Sequence, residues 1–128
     1  MVEVGRFIGF AHVVVRPIAE LPPIVAGGSA VVDVEVFNGE NYAIPAFHED
    51  DYRTTLAHAI YQERNLLNEN PAVPLPRSIA PGARDTVQFE VVAPDVPGSY
   101  NVSMWIGTPA GLQWWKKFGH FNLTVVPQ

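Results

Sequence analysis

The sequence has 128 residues, a length typical of one domain that buries its own core without disulfides or metals, so we expect residues 1–128 to form a single domain. It contains no cysteine, which excludes a thiolate zinc site and a cysteine nucleophile and is typical of a cytoplasmic protein. The net charge is -5 and the eight basic residues are scattered. This argues against nucleic acid or an anionic membrane as a partner, because both bind positive patches.

The N-terminal third predicts two strands separated by a loop. Residues 12–16 form a short β-branched run that ends at a proline, and residues 21–28 are rich in proline and glycine, which break regular structure. In residues 29–38, valines alternate with acidic residues, as in a half-buried strand. Asn38 and Gly39 supply turn chemistry after this strand.

The middle of the chain is less regular. Residues 41–51 have no clean period and indicate a crossing loop with a short extended piece. Residues 54–62 suit either a helix or a strand by their spacing, and the β character of the neighbouring segments favours a strand. Residues 65–78 contain three prolines, so we expect a turn, an extended connection or an edge strand, because proline cannot donate to a central ladder.

The last third holds the clearest alternation. Residues 84–92 and 99–107 each place apolar side chains on one face and polar side chains on the other, with a Pro-Gly turn before the second segment. Residues 120–126 repeat the pattern at the end of the chain. Trp105 falls on the polar side of its strand. Many short strands with turn signals and no convincing amphipathic helix predict an all-β fold, an antiparallel β-sandwich.

Several short motifs also follow a recognisable order and spacing. They are Asn38-Gly39, Leu56 to Tyr61, Ile79-Ala80-Pro81-Gly82, Val91-Val92-Ala93-Pro94, Pro97-Gly98-Ser99-Tyr100, Trp114-Trp115 and Gly119. Over residues 10–126 the chain resembles the immunoglobulin-like accessory domains of bacterial surface-polysaccharide systems, of which the C-terminal domain of lipopolysaccharide O-antigen ABC-transporter ATPases is the best understood. The resemblance implies an immunoglobulin-like sandwich of about seven to eight strands, without catalytic activity, that binds a glycan on one sheet face.

The candidate binding site lies on one face of the predicted sandwich. In immunoglobulin-like folds the third, sixth and seventh strands are neighbours, so their outward side chains share a surface. Small residues leave a hollow there, and rings beside neutral polar groups suit the apolar faces and hydroxyls of a sugar. The candidate ligand-binding residues are Tyr61, Asn101, Ser103, Trp105, His120, Asn122 and Thr124. We expect Trp105 and Tyr61 to form an exposed stacking platform; the alternative is that Trp105 covers the sheet edge or packs under a loop.

Other residues favour structural roles. We expect His58 to face the core, Trp114 to pack against the core or an edge, and Trp115 to be a rim contact. The four histidines and the acidic segment 49–51 lack the spacing of a metal site, so no metal or other cofactor is predicted. No nucleophile elbow, phosphate-binding glycine loop or carboxylate pair is present, so no catalytic residue is assigned.

The sequence therefore predicts a non-catalytic carbohydrate-binding module for a bacterial O-antigen-like polysaccharide. The alternative is an assembly or dimerisation module that partners a polysaccharide-biosynthesis enzyme. The expected partners are a glycan, a second copy of the chain, and a biosynthesis or export enzyme. The N-terminal apolar stretches are interrupted by Arg6, His12 and Arg16, which makes a poor signal peptide and no bilayer span, so we expect a cytoplasmic protein without membrane insertion.

Overall fold

The computed structural model describes residues 12–46, 54–69, 72–107 and 119–128. The predictions for segment 49–51, Trp114 and Trp115 concern residues outside these ranges and stay predictions. The described residues form nine strands and no helix. They are β1 (Val13–Pro17), β2 (Ile24–Val25), β3 (Ser29–Asn38), β4 (Thr55–Gln62), β5 (Asn65–Glu69), β6 (Val73–Pro74), β7 (Arg84–Val92), β8 (Gly98–Gly107) and β9 (Gly119–Val126).

The strands form two sheets. The smaller sheet has the order β1-β3-β7, and the larger has the order β2-β9-β8-β4-β5 with β6 also paired to β4. All pairs are antiparallel except β2 with β9, which is parallel. The predicted seven to eight strands become nine because β2 and β6 are two-residue strands that leave no alternation in the sequence.

The ambiguous middle segments resolve in favour of β structure. Residues 54–62, which also suited a helix, contain β4, which lies between β8 and β5 in the larger sheet, so the strand interpretation is confirmed. The proline-rich stretch after it supplies β5, which lies at the edge of the sheet, and β6. In the crossing loop, Ile44 pairs with Ile79 in an isolated bridge, which is the short extended piece that was expected.

The core lies between the inward faces of the two sheets, as the alternation predicts. Val34 and Val36 of the smaller sheet, and Leu56 and Ile60 of the larger, are completely buried. Burying an aliphatic side chain of this size stabilises a fold by about 1.5–3 kcal/mol. His58 is only 1% exposed in the same core, so its predicted inward orientation is confirmed.

Two polar contacts fix the ends of strands. The hydroxyl of Tyr100, near the start of β8, donates a hydrogen bond to the carbonyl oxygen of Val96. A tyrosine that bonds to the backbone a few residues upstream in this way is the tyrosine corner of immunoglobulin-like sandwiches. The buried amide of Asn38 ends β3 by donating to the carbonyl oxygens of Tyr42 and Ile79 at 2.9 and 2.8 Å.

Among the described residues there is no helix long and apolar enough to cross a membrane.

Candidate functional site

Strands β4, β8 and β9 lie side by side, as predicted, and their register sets which side chains share the outer face of the larger sheet. Tyr61 is opposite Asn101, and Asn101 is in turn opposite Asn122. Ser103 lies opposite His120 in the same way. Directly opposed residues have neighbouring side chains, so these five groups form one continuous surface.

Part of this surface is a pocket. An open depression of about 410 Å³ is lined by Tyr61, Arg64, Asn101, Ser103 and His120. Four of the seven predicted site residues therefore come together around one cavity. The rim combines an aromatic ring, amide, hydroxyl and imidazole groups, and one guanidinium. No Asp or Glu is among these five described lining residues.

Arg64 was missed by the sequence analysis. It lies in the two-residue turn that joins β4 to β5, where Gln62 pairs with Asn65. Glu63 and Arg64 have φ angles of 50° and 74°, and a type I′ hairpin turn requires a positive φ at both central positions. The asparagine or glycine that usually marks such a turn is absent. The sequence feature that still indicates a turn here is the polar pair Glu63-Arg64 between two apolar segments.

Tyr61 owes its position to the regular pairing of β4 with β8, in which Ile60 is opposite Val102 and Tyr61 is opposite Asn101. The pairing of β4 with β5 shifts register between Ile60 and Tyr61, which indicates a β-bulge or a similar interruption. The residue without a partner is Leu67, so the irregularity is in β5 and the direction of Tyr61 is unaffected by it. The tight turn begins directly after Gln62, so Tyr61 and Arg64 lie at the same end of the sheet, where both line the pocket.

Trp105 does not form the exposed platform that was predicted. Its ring faces away from the sandwich core, opposite in direction to Met104, but it is only 9% exposed and does not line the depression formed by the other predicted residues. Its cross-strand neighbour is Ala57, and a Cβ atom at Gly107 would lie 3.6 Å from its ring. These small neighbours leave space for the indole to lie close to the sheet. The structure therefore agrees better with the alternative interpretation, in which Trp105 is a packed residue.

Asn122 and Thr124 point outward from β9, as predicted, but they border a different depression. This second cavity, of about 570 Å³, lies between β9 and the loop of residues 17–21. It also includes Phe121. The seven predicted residues thus divide into four around the first pocket, two around the second, and a buried Trp105.

The outer face of the smaller sheet provides an internal comparison. There Arg16 and Arg84 approach Glu35 at 3.0 and 3.4 Å, and the amide of Gln88 donates to the carboxylate of Asp33 at 2.6 Å. That face is a charged, solvated sheet surface whose groups satisfy one another. The pocket on the larger sheet differs: its five described lining residues include no carboxylate, and Arg64 carries their only permanent charge. Its composition is therefore specific to that face and not a property of the whole surface.

The described residues contain no group of three His, Cys, Asp or Glu side chains that could hold a metal ion. His58 is in the core, not at the pocket, and its burial lowers its pKa from 6.5 to about 4. The five described lining residues supply an aromatic ring, hydrogen-bonding groups, an imidazole and the positive charge of Arg64.

Comparisons with known proteins address the fold. No protein-family model matches the sequence, and a search of the curated proteins finds no match. Among solved structures, the CARDB domain of a Pyrococcus furiosus protein in complex with di-metal ions is similar over 91% of this chain and 92% of that one, with 18% identity and a TM-score of 0.51. The fold is an immunoglobulin-like β-sandwich.

Two enzymes contain a similar domain. A β-glucosidase from Erythrobacter marinus matches 89% of this chain with 16% identity and a TM-score of 0.57, and this covers 15% of the enzyme. The alkylpurine DNA glycosylase AlkC from Pseudomonas fluorescens, bound to DNA containing an abasic site analog, matches 91% with 14% identity and a TM-score of 0.50, covering 29% of that chain. At these identities the likeness shows the fold alone.

Proposed function

We propose that this domain is a non-catalytic carbohydrate-binding module, and that the pocket between Tyr61 and His120 holds part of a glycan. The observation that carries the proposal is the convergence of one ring with neutral hydrogen-bonding groups around a single depression of about 410 Å³. The immunoglobulin-like sandwich is a fold on which such binding sites occur without catalytic groups. The resemblance of the motifs to O-antigen-binding domains supports the same class of ligand.

The lining residues match the surface of a sugar ring. One face of a pyranose presents C–H groups, which stack on an aromatic ring such as that of Tyr61. Its hydroxyls both donate and accept hydrogen bonds, and so do the side chains of Asn101 and Ser103. His120 adds a ring nitrogen on the far side of the pocket. A weak, reversible complex with one or two sugar units fits this arrangement.

The absence of a carboxylate from the five described lining residues supports a binding role over hydrolysis. Glycoside hydrolysis by the common mechanisms needs two carboxyl groups on either side of the scissile bond. A single imidazole among neutral groups offers no such pair. We therefore assign recognition and no reaction to this pocket.

The biological setting belongs to the same proposal. We infer a role in the cytoplasm of a bacterium that makes a surface polysaccharide, where the domain would bind the O-antigen-like chain during biosynthesis or export. The partner would be a polysaccharide-biosynthesis or export enzyme that places the domain near the growing glycan. Binding without catalysis suits a domain that presents a chain to another protein.

A glycan array followed by calorimetry tests this function. We expect the protein to bind bacterial oligosaccharides, and we expect Tyr61→Ala and Asn101→Ala to weaken binding. Loss of ring stacking amounts to about 1–3 kcal/mol, which is roughly 5- to 150-fold in affinity. Gln88→Ala, on the charged outer face of the other sheet, is the matched control and should bind as the wild type does. No binding to any glycan, or an equal loss in the control, would contradict the proposal.

Assembly is the second candidate function, and one observation favours it. Strand β5 lies at the edge of the larger sheet, and its two leucines, Leu66 and Leu67, are 49% and 46% exposed. Edge strands with apolar side chains can pair with a second copy. Light scattering over a range of concentrations tests this: a dimer that Leu67→Lys converts to a monomer supports assembly, and a monomeric wild type at high concentration rejects the homomeric form.

A further inference from the structure

We propose that the pocket selects saccharides that carry a carboxylate, and that Arg64 binds this carboxylate. The inference rests on the proposed carbohydrate-binding function and adds the chemical class of the ligand. Arg64 is the one residue among the five that line the pocket that was not predicted from the sequence. Arg64 supplies the only permanent charge among the five lining residues.

Arg64 differs from the other described arginines in its partners. Arg16 and Arg84 both pair with Glu35, and Arg77 forms two hydrogen bonds with Asp85 at 2.9 and 2.7 Å. Among the described residues no carboxylate lies within 4.0 Å of a nitrogen atom of Arg64. Its guanidinium therefore keeps its hydrogen-bond donors for a ligand.

The backbone at this position is held in an uncommon conformation. A residue other than glycine with a positive φ is uncommon, and Glu63 and Arg64 are consecutive examples. The turn has only two residues, and the residues that flank it, Gln62 and Asn65, are paired with each other in the sheet. Arg64 therefore cannot move far from the pocket rim. An arginine placed on a short, paired turn is better positioned for binding than one on a long loop.

The charge balance favours a carboxylate over a phosphate monoester. One guanidinium matches one negative charge, and the planar fork of arginine binds a carboxylate through two parallel hydrogen bonds. Tyr61, Asn101 and Ser103 add no positive charge, and the whole chain carries a net charge of -5, which repels a dianion more than a monoanion. The fitting ligand is therefore a sugar acid such as a uronic acid unit, with its hydroxyls toward Asn101 and Ser103.

The experiment compares matched pairs of ligands. Trimers with one terminal galacturonate, glucuronate or mannuronate on two neutral hexoses are titrated by calorimetry beside the same trimers after reduction of the carboxylate to a primary alcohol, and beside galactose 6-phosphate. We expect at least one acid trimer to bind about tenfold or more tightly than its reduced form, the loss expected when a charge-assisted hydrogen bond is removed. Its affinity should fall as salt concentration rises.

Two variants assign the effect to Arg64. Arg64→Gly removes the guanidinium and suits the positive φ, so the fold should persist. It should weaken binding of the acid trimer about tenfold and leave the reduced trimer unaffected. Arg84→Gln removes the same charge from the opposite sheet and should preserve the preference for the acid.

The outcomes separate the two proposals. Equal affinity for acid and reduced trimers, with both weakened by Tyr61→Ala, rejects the carboxylate inference and retains the carbohydrate-binding function. Tighter binding of galactose 6-phosphate also rejects the carboxylate assignment. A preference for the acid that survives Arg64→Gly rejects Arg64 as its origin. If no saccharide binds, including those of the glycan array, both proposals are rejected.

Discussion

The imidazole of His58 lies 4.3 Å from the ring of Phe89, measured between ring centroids, and this contact joins the two sheets in the centre of the sandwich. His58 is 1% exposed, and neither of its ring nitrogens has a hydrogen-bond partner among the residues that the structure describes. A buried imidazole without partners is held in its neutral form, because a charged ring there would lose its hydration without compensation.

Acid should therefore destabilise the fold through His58. Burial lowers its pKa from 6.5 to about 4, so the unfolded chain takes up a proton at a higher pH than the folded chain. Stability is fully present above pH 6.5 and is lost as the pH falls from about 6.5 toward 4. The difference in pKa corresponds to a loss of about 3 kcal/mol, which urea denaturation at several pH values would measure.

His58→Leu provides the test of this assignment. The leucine cannot be protonated, so the unfolding free energy of the variant should change much less between pH 7 and pH 4. His120→Gln, at an exposed position of β9, should keep the pH dependence of the wild type. If the wild type and His58→Leu lose the same stability on acidification, the acid sensitivity arises from other groups.

The burial of Trp105 changes what its replacement should do. As an exposed platform residue it would contribute to binding and little to stability. At 9% exposure we expect Trp105→Ala to cost about 3–5 kcal/mol of unfolding free energy, as for other buried aromatic rings. Met104→Ala, at the adjacent core position, should cost about 2–5 kcal/mol. Thermal and chemical denaturation would measure both.

Binding distinguishes Trp105 from the residues that line the pocket on the same face of the sheet. Trp105→Phe retains a buried ring and should leave glycan affinity close to that of the wild type, because Trp105 does not line the pocket. Tyr61→Ala should weaken binding and cost less stability than Trp105→Ala. A variant Trp105→Phe that folds but no longer binds would restore Trp105 to the binding site and contradict the site described here.

Asn38 should be sensitive to loss of its amide group. Its amide nitrogen donates to the carbonyl oxygens of Tyr42 and Ile79, and its side-chain oxygen accepts from the backbone nitrogen of Glu40 at 2.9 Å. Asn38→Asp keeps the acceptor but places a carboxylate beside two carbonyl oxygens. We expect a loss of at least about 2 kcal/mol in a denaturant titration at pH 7.

Asn65→Asp is the control for that substitution. Asn65 is an exposed residue next to the β4–β5 turn, and the same chemical change there should stay within about 0.5 kcal/mol of the wild type. Equal effects at both positions would show that the buried hydrogen bonds of Asn38 contribute nothing specific.

Alternation in the sequence is sufficient to orient the long strands. The pattern in β8 places Met104 in the core and directs Trp105 away from it, and the structure has both orientations as predicted. Exposure is a different property, because it depends on neighbours that are remote in sequence. The space that the indole occupies is left by Ala57 on the neighbouring strand β4 and by Gly107 at the end of β8. The alternation of β8 alone does not show that this space exists.

The pocket residues also divide into those that the sequence could predict and one that it could not. Tyr61, Asn101, Ser103 and His120 could be grouped from the strand order of an immunoglobulin-like sandwich. Arg64 could not, because its position depends on a two-residue turn whose sequence lacks the usual asparagine or glycine. Local rules identify turns by residues that favour a positive φ. Such rules do not predict a turn whose conformation is imposed by the pairing of its flanking strands.

Gly119 should tolerate no side chain. It begins β9 beside the backbone of β1, and a Cβ atom at this position would overlap the carbonyl oxygen of Val15. Backbone atoms cannot move aside as a flexible side chain can, so Gly119→Ala should separate the two strands and cost about 3 kcal/mol or more of unfolding free energy. Gly82→Ala is the comparison: its φ of 77° strains an alanine by about 1–2 kcal/mol, but its Cβ would meet no atom within 4 Å. Chemical denaturation of both variants would measure the difference, and an equal or smaller cost at Gly119 would mean that β1 and β9 are less closely packed than described.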